Sequence, residues 1–302
     1  MLFFKLIRKI LVSTLVPLKS LGLTFPKRLT RHLHYYGTVD VRVDTDKYFQ
    51  IKSYGHVIEN NLFWHGIRGH EPETLIPWLR AANTAGSILD IGANTGLFSL
   101  AAAAQNPKAN IYSFEPLPRI ANLLRKNVKL NPKFNVTVVE RAISSQSGVA
   151  RIYDPGGDQP GSASLRSDFL DSHTEPVEVN VDSIDSFCDE MAIGVIDLIK
   201  LDVEGVEESV LKGMRNTLIA YHPPIFMEMI DQRPELIGAI SELIEIGYQV
   251  VALGKERALG ESSTTQERNV LIATDPSQFV REGEYHSISL FPIQTNTENA
   301  AA

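Results

Sequence analysis

The run Ser87-Ile88-Leu89-Asp90-Ile91-Gly92-Ala93-Asn94-Thr95-Gly96-Leu97-Phe98 decides the fold. An apolar stretch ending in an acid suits a strand covered on both faces, and Leu97 to Gln105 continues as a helix. Between them, Gly92 and Gly96 let the backbone turn sharply and come close to a bound group. A strand, a small-residue turn and a helix in this order predict a doubly wound α/β sheet with a ligand site at the strand's carboxyl end. An ordinary strand-turn-helix with a Gly-rich turn is the plain alternative.

The spacing selects the ligand. A dinucleotide site calls for G-x-G-x-x-G, whereas here the register is Asp90-x-Gly92-x-Asn94-x-Gly96, with no third glycine and no Lys for a phosphate. The acid at the strand end matches a cationic amino group better than a phosphate, which a carboxylate would repel. This pattern resembles the first motif of class I S-adenosylmethionine-dependent methyltransferases. About 20 residues on, Asn110 to Pro116 is a second short strand ending in Glu115, the place from which a carboxylate reaches ribose hydroxyls in such a sheet.

A second cluster, Val195 to Glu207, carries Lys200, Asp202 and Glu204 in alternation with Leu201 and Val203, which predicts the three polar groups on one strand face. A Lys inside such a strand needs partners, and the two carboxylates are at hand. Pro224 to Met229 brings Glu228 to the same edge. Asp90, Glu115, Asp202, Glu204 and Glu228 are thus expected on one rim, where burial and mutual repulsion raise at least one pKa toward that of a general base.

Asp90-Ile-Gly-Ala-Asn-Thr-Gly96, Phe114-Glu-Pro116 and Ile199-Lys-Leu-Asp-Val-Glu-Gly205, in that order, resemble the FkbM family of methyltransferases over about residues 70 to 275. The resemblance implies a seven-stranded mixed sheet of Rossmann-like methyltransferase fold and O-methylation of a hydroxyl on a sugar, lipid-linked glycan or secondary metabolite. It implies a donor site of Asp90, Gly92, Ala93, Asn94, Gly96, Phe98, Glu115 and Pro116, with Arg141 and Ala142 bordering the adenine and Asp202 nearby. For the chemistry, Asp202 or Glu204 is the expected base, Lys200 sets its charge, and Glu228 stands in reserve. A divalent metal on Asp202, Glu204 and Glu228 is an alternative route and is not expected. A nicotinamide-dependent oxidoreductase and a non-catalytic, membrane-associated cofactor-binding scaffold are the rival functions.

The rest of the chain sets limits. It has 302 residues, 43% hydrophobic, with net charge −7, which argues against a nucleic-acid partner. The first 39 residues carry seven of the 29 basic residues and no acid. Within residues 1–38, apolar positions from Leu2 to Leu18 recur at helical spacing opposite Lys5, Arg8 and Lys9, so a basic amphipathic extension is expected, with residues 1–21 either on an anionic membrane surface or packed on the catalytic domain or a second subunit. Lys9, Lys19 and Pro17 leave too short an apolar run to span, and the expected setting is cytoplasmic with peripheral membrane contact. A methyltransferase domain is expected over 39–285, with short strands from Asp40 to Phe63, a turn-rich insertion at 144–181 that is a candidate lid, and a flexible tail over 286–302. His65, between aromatics, is a candidate to face substrate, the ordinary alternative being a structural role. Cys188, the single cysteine, excludes an intrachain disulfide and a cysteine-based zinc site.

Overall fold

The computed structural model describes residues 2–153, 176–229, 232–254 and 268–287. The candidate lid core at 154–175, most of the polar loop after Gly254 and the tail from 288 lie outside them.

Helix α1 (Leu2–Ser20) and the single turn α2 (Lys27–Thr30) precede a hairpin of β1 (Tyr36–Arg42) and β2 (Tyr48–Tyr54), then helices α3 (Val57–His65) and α4 (Pro72–Ala82). The alternating unit follows: β3 (Ser87–Ile91), α5 (Leu97–Gln105), β4 (Asn110–Phe114), α6 (Pro118–Leu130) and β5 (Val136–Val139). Next come β6 (Ala142–Ile143), β7 (Gly148–Tyr153), β8 (Pro176–Asp182), α7 (Ile184–Glu190) and β9 (Leu198–Leu201). Helices α8 (Glu207–Gly213) and α9 (Arg215–Tyr221), β10 (Ile225–Met229), α10 (Pro234–Glu245), β11 (Gln249–Leu253), β12 (Arg268–Ala273) and β13 (Tyr285–Ser287) complete it.

The main sheet has the order β13-β11-β12-β10-β9-β3-β4-β5. The five strands from β10 to β5 run parallel, whereas β11, β12 and β13 pair antiparallel. Chain order reverses between β3 and β9, so the crevice above their carboxyl ends is where a ligand fits. The expected count of seven strands becomes eight through the short edge strand β13, which pairs on Val251 to Leu253.

Apolar layers cover both faces. Trp78 and Leu75 of α4, Phe98 and Leu100 of α5 and Phe49 and Ile51 of β2 pack on one, and Phe187, Val210, Met214, Leu236 and Ile240 on the other. Trp78 is fully buried, edge-on to Phe98 and Phe226, with its indole N–H donating to the Phe98 carbonyl at 3.0 Å. That bond satisfies the ring's one polar atom, and the buried ring locks α4 to α5.

Three local expectations change. Val57 to His65 is a helix rather than strand, because Leu62 and Trp64 bury on the hairpin side while Trp64 Nε1 donates to the Leu33 carbonyl at 2.7 Å. Strands flank the insertion: β6, β7 and β8 form a separate three-stranded sheet over α6. Strand β9 stops at Leu201, and Glu204 and Gly205 take left-handed backbone at φ 55° and 99°, so strict alternation does not carry on to Glu204.

Candidate active site

The turn after β3 is shaped by contact rather than flexibility. The amides of Gly92 and Ala93 donate to the Phe114 carbonyl at 3.0 and 2.8 Å, which pins the turn to β4. A Cβ placed on Gly92 (φ 84°) would lie 1.7 Å from the Asp202 carbonyl oxygen, so β9 crowds it from the other side. Above this turn opens a cavity of about 410 Å³, ordinary for a ligand of cofactor size.

One end of the cavity is apolar with a single carboxylate. Phe114, Pro116, Leu117, Ala142, Ile143 and Ile152 line it. Glu115 accepts from the Asn94 amide at 3.1 Å and the Leu117 amide at 3.0 Å. Burial nevertheless pushes its pKa up to about 7. Arg141 is fixed at this end by Asp182 and Glu190, at 2.7 and 2.6 Å, and these bonds hold its pKa above the ordinary value against partial burial.

The other end concentrates charge. Lys200 is fully buried, its Nζ 3.1 Å from Asp202 Oδ2 and 4.8 Å above the centre of the Phe98 ring. Burial works against its charge, but Asp202, Glu71 and Glu228 outweigh it and raise the pKa. Burial likewise opposes ionisation of Asp202, yet the Lys200 ammonium and a hydrogen bond from Glu228 bring its pKa below the usual value. Burial first, and then the negative Asp202, push Glu228 up to about 11. The pair is thus tuned apart, Glu228 toward its protonated form by burial and the neighbouring carboxylate, Asp202 toward its ionised form by Lys200.

Gly92, Ala93, Asn94, Phe98, Glu115, Pro116, Arg141, Ala142, Asp202, Glu204 and Glu228 all line this one cavity. Asp90, Gly96 and Lys200 do not. Asp90 is 1% exposed and accepts from Ser99 Oγ, which also bonds Ser113, so the expected rim of five acids loses this member. Burial raises Asp90 to about 6. Gly96 abuts Leu124, which a Cβ would meet at 2.4 Å. His65 is bonded to Thr30 at 2.8 Å, away from the cavity, which removes it as a substrate-facing group. Among the described residues, no three His, Cys, Asp or Glu side chains are grouped to hold a metal ion.

Sequence reasoning missed His56, His70 and Glu71. His70 Nε2 lies 3.0 Å from Glu71 Oε1, and Glu71 is held at φ 38° ahead of α4 with Oε2 buried and unpartnered. A His-Glu pair just before a helix that opens on Pro was a usable signal. His56 could be found only by recognising α3, whose N-terminal flank it forms.

The family model described as the methyltransferase FkbM domain matches residues 90–250, more than half of the chain. The chain belongs to the FkbM methyltransferase family. Among relatives, it is 33% identical over 143 residues to the 2-O-methyltransferase NoeI of Sinorhizobium fredii, covering 43% of this chain and 58% of NoeI. It is 30% identical over 178 residues to the AMB antimetabolite synthetase AmbE of Pseudomonas aeruginosa, covering 48% of this chain and 8% of AmbE. It is 25% identical over 195 residues to the 31-O-demethyl-FK506 methyltransferase FkbM of Streptomyces tacrolimicus, covering 55% and 73%. The chain thus spans under two thirds of the length of the first two of these relatives. A solved FkbM methyltransferase from Methylobacillus flagellatus aligns with a TM-score of 0.42 at 18% identity, over 62% of this chain and 43% of that one.

Proposed function

We propose that this FkbM-family protein transfers a methyl group from S-adenosylmethionine to a hydroxyl of a sugar, lipid-linked glycan or secondary metabolite. The observation that carries this reading is Asp202, 3.1 Å from the buried Lys200 ammonium, on the wall of the cavity that Glu228, Glu115 and the Gly92 turn also line. The donor's fit rests on two features: the amide-anchored Glu115 for ribose hydroxyls, and an apolar slot beside it for a flat purine. Asn94 Oδ1 and Glu71 Oε2 are buried and unpartnered on the same wall, consistent with polar groups that meet a ligand.

S-adenosylmethionine supplies an activated methyl group on a sulfonium. Asp202 accepts the acceptor's hydroxyl proton while the oxygen bonds the methyl carbon and the sulfur retains the electron pair of the broken bond. Glu228 donates to Asp202 and holds it in place, and Lys200 keeps it ionised. His70, Glu71 and Glu204 line the acceptor side. The names of NoeI and FkbM, both O-methyltransferases, support the reaction class. A nicotinamide dinucleotide fits less well, because Glu115 and Asp202 leave a pyrophosphate facing carboxylates. A cytoplasmic enzyme with membrane-surface contact through residues 1–21 is part of the proposal. Incubation with labelled donor and host extract should give a labelled O-methyl product. Calorimetry showing no S-adenosylhomocysteine binding would overturn the reading.

A further inference from the structure

The acceptor side of the cavity is polar, and the chain that frames its mouth is apolar and basic. His70, Glu71, Glu204 and Glu228 line the inner wall, so a group with hydroxyls to donate fits there and an anion does not. The mouth is framed by α3 and by the segment ahead of the hairpin. His34 Nδ1 donates to the Gly55 carbonyl at 2.6 Å, just before His56 and Val57, which line the cavity. Lys27 Nζ donates to the Gly69 carbonyl at 3.2 Å, just before His70 and Glu71, which line it too. Residues 27–36 are thus tied to both stretches of chain that lead from α3 to the cavity. Apolar side chains stand open along this frame: Leu21 is 79% exposed, Tyr36 71% and Val57 55%, with Leu23 and Leu29 exposed as well. Val57 belongs to the cavity wall itself, and the Tyr36 ring lies over Gly55, where a Cβ would meet it at 2.7 Å. The first 39 residues carry seven basic side chains and no acid. Exposed Leu and Tyr interleaved with unopposed positive charge match an anionic bilayer, whose interface takes the former and whose surface potential attracts the latter. A second copy joined leader to leader would set like charges against each other.

We propose that the leader and the cavity mouth form one bilayer-facing surface, and that the methyl acceptor is the hydroxyl-bearing head of a lipid-linked saccharide that enters the cavity from the membrane. This rests on the methyl-transfer reading made under Proposed function and narrows its acceptor to one class. The division of the surface follows the division of such a molecule. Its sugar hydroxyls meet His70, Glu71 and Glu204, and its apolar chain stays in the bilayer beside Val57, Tyr36 and the exposed leucines. The chemistry is unchanged: the sugar oxygen bonds the methyl carbon, its proton passes to Asp202, and the sulfur keeps the electron pair. A water-soluble acceptor would gain nothing from an apolar, basic frame around the mouth.

The test uses the full chain and a double variant, Leu21→Glu with Leu23→Glu, which changes two exposed side chains that line no part of the cavity. The probes are phosphatidylglycerol vesicles, washed host membranes and the membrane-free host supernatant, the last two with labelled donor. The parent chain should label a product of the washed membranes that partitions into chloroform and methanol. The variant should sediment with the vesicles about tenfold more weakly, the scale of two lost apolar contacts with the bilayer. It should label intact membranes less in the same proportion, match the parent on membranes dissolved in detergent, and bind S-adenosylhomocysteine as the parent does by calorimetry. Label confined to water-soluble product overturns the proposal. So does a variant that sediments like the parent, or one that loses the vesicles yet labels intact membranes at the parental rate. A parent chain that ignores vesicles and forms a dimer in the ultracentrifuge, dissociated in the variant, makes a second copy the occupant and overturns it as well. In each of these outcomes the methyl-transfer reading stands; a parent chain that binds no S-adenosylhomocysteine and labels neither fraction overturns that reading itself.

Discussion

Asp202 and Glu228 divide the work of one base. With the proton on Glu228, replacing it by Gln keeps a donor toward Asp202, whereas Asp202→Asn removes the acceptor. Turnover should fall by about 10²- to 10⁴-fold in Asp202→Asn with S-adenosylhomocysteine binding retained, the scale of lost general-base catalysis, and by less than about tenfold in Glu228→Gln. Single-turnover rates showing the opposite order would move the base to Glu228. Glu115 makes a second residue-level prediction. Its pKa rises from 4.5 unfolded to about 7 folded, so the folded state binds the proton more tightly. The stability this adds is fully present below pH 4.5 and is lost as the pH rises through 7. Burial, with no paired cation needed, thus makes the empty site less stable in alkali, by about 3 kcal/mol across the window. Urea unfolding at pH 5 and pH 8 should show that loss in the parent chain, and Glu115→Gln should reduce it while the part due to Asp90, raised to about 6, remains. An unchanged slope in the variant would mean that Glu115 titrates normally.

At the scale of elements, the β3-to-α5 turn is where sequence determines geometry most tightly. Gly92→Ala places a methyl group against the Asp202 carbonyl at a left-handed φ, with strands on both sides unable to move apart. It should cost several kcal/mol, on the order of the largest single-site effects, and abolish donor binding. Gly247→Ala, at φ 101° past α10 with nothing within 4 Å, should cost only about 1 kcal/mol of backbone strain. Thermal melts of similar midpoint for the two would show that the crowding at Gly92 is illusory. The same contrast explains what was legible beforehand. Turn residues and strand-end acids announce themselves locally, so β3, α5, β4, β9 and β10 and the cavity wall from Gly92 to Glu228 could be read from their order. Asp90 looked like a ligand because strand-end position says nothing of depth; Ser99 and Ser113, on neighbouring elements, hold its carboxylate buried. Helix α3 was hidden because its burial comes from Leu33 and the hairpin, contacts between segments distant in sequence that periodicity does not report.

For the whole molecule, the basic leader is tied to the domain on its C-terminal side. Residues 25–35 are stitched to α3: Phe25 stacks edge-on with Trp64, Asn60 Nδ2 donates to the Thr30 carbonyl at 3.1 Å, and the Tyr35 amide donates to Asn60 Oδ1 at 3.0 Å. At the end of α1, Lys19 lies 5.1 Å from the Phe63 ring centre, and burial lowers its pKa. Further back, Leu11 is exposed, as are Leu21 and Leu23 beyond the helix, and no helix among the described residues is long and apolar enough to cross a membrane. Lys5, Arg8 and Lys9 add positive charge to a chain whose remaining residues are strongly acidic. Attraction of these three to an anionic bilayer is worth about 1 kcal/mol each. Removing residues 1–23 should therefore weaken sedimentation with phosphatidylglycerol vesicles roughly a hundredfold, with little change on neutral phosphatidylcholine, and leave S-adenosylhomocysteine affinity intact. Removing residues 1–36 should also weaken that affinity, because α3, whose first turn lines the cavity, loses the segment stitched to it. Equal vesicle binding by the full and shortened chains would end the membrane assignment, and unaltered ligand affinity after the longer deletion would separate the leader from the site.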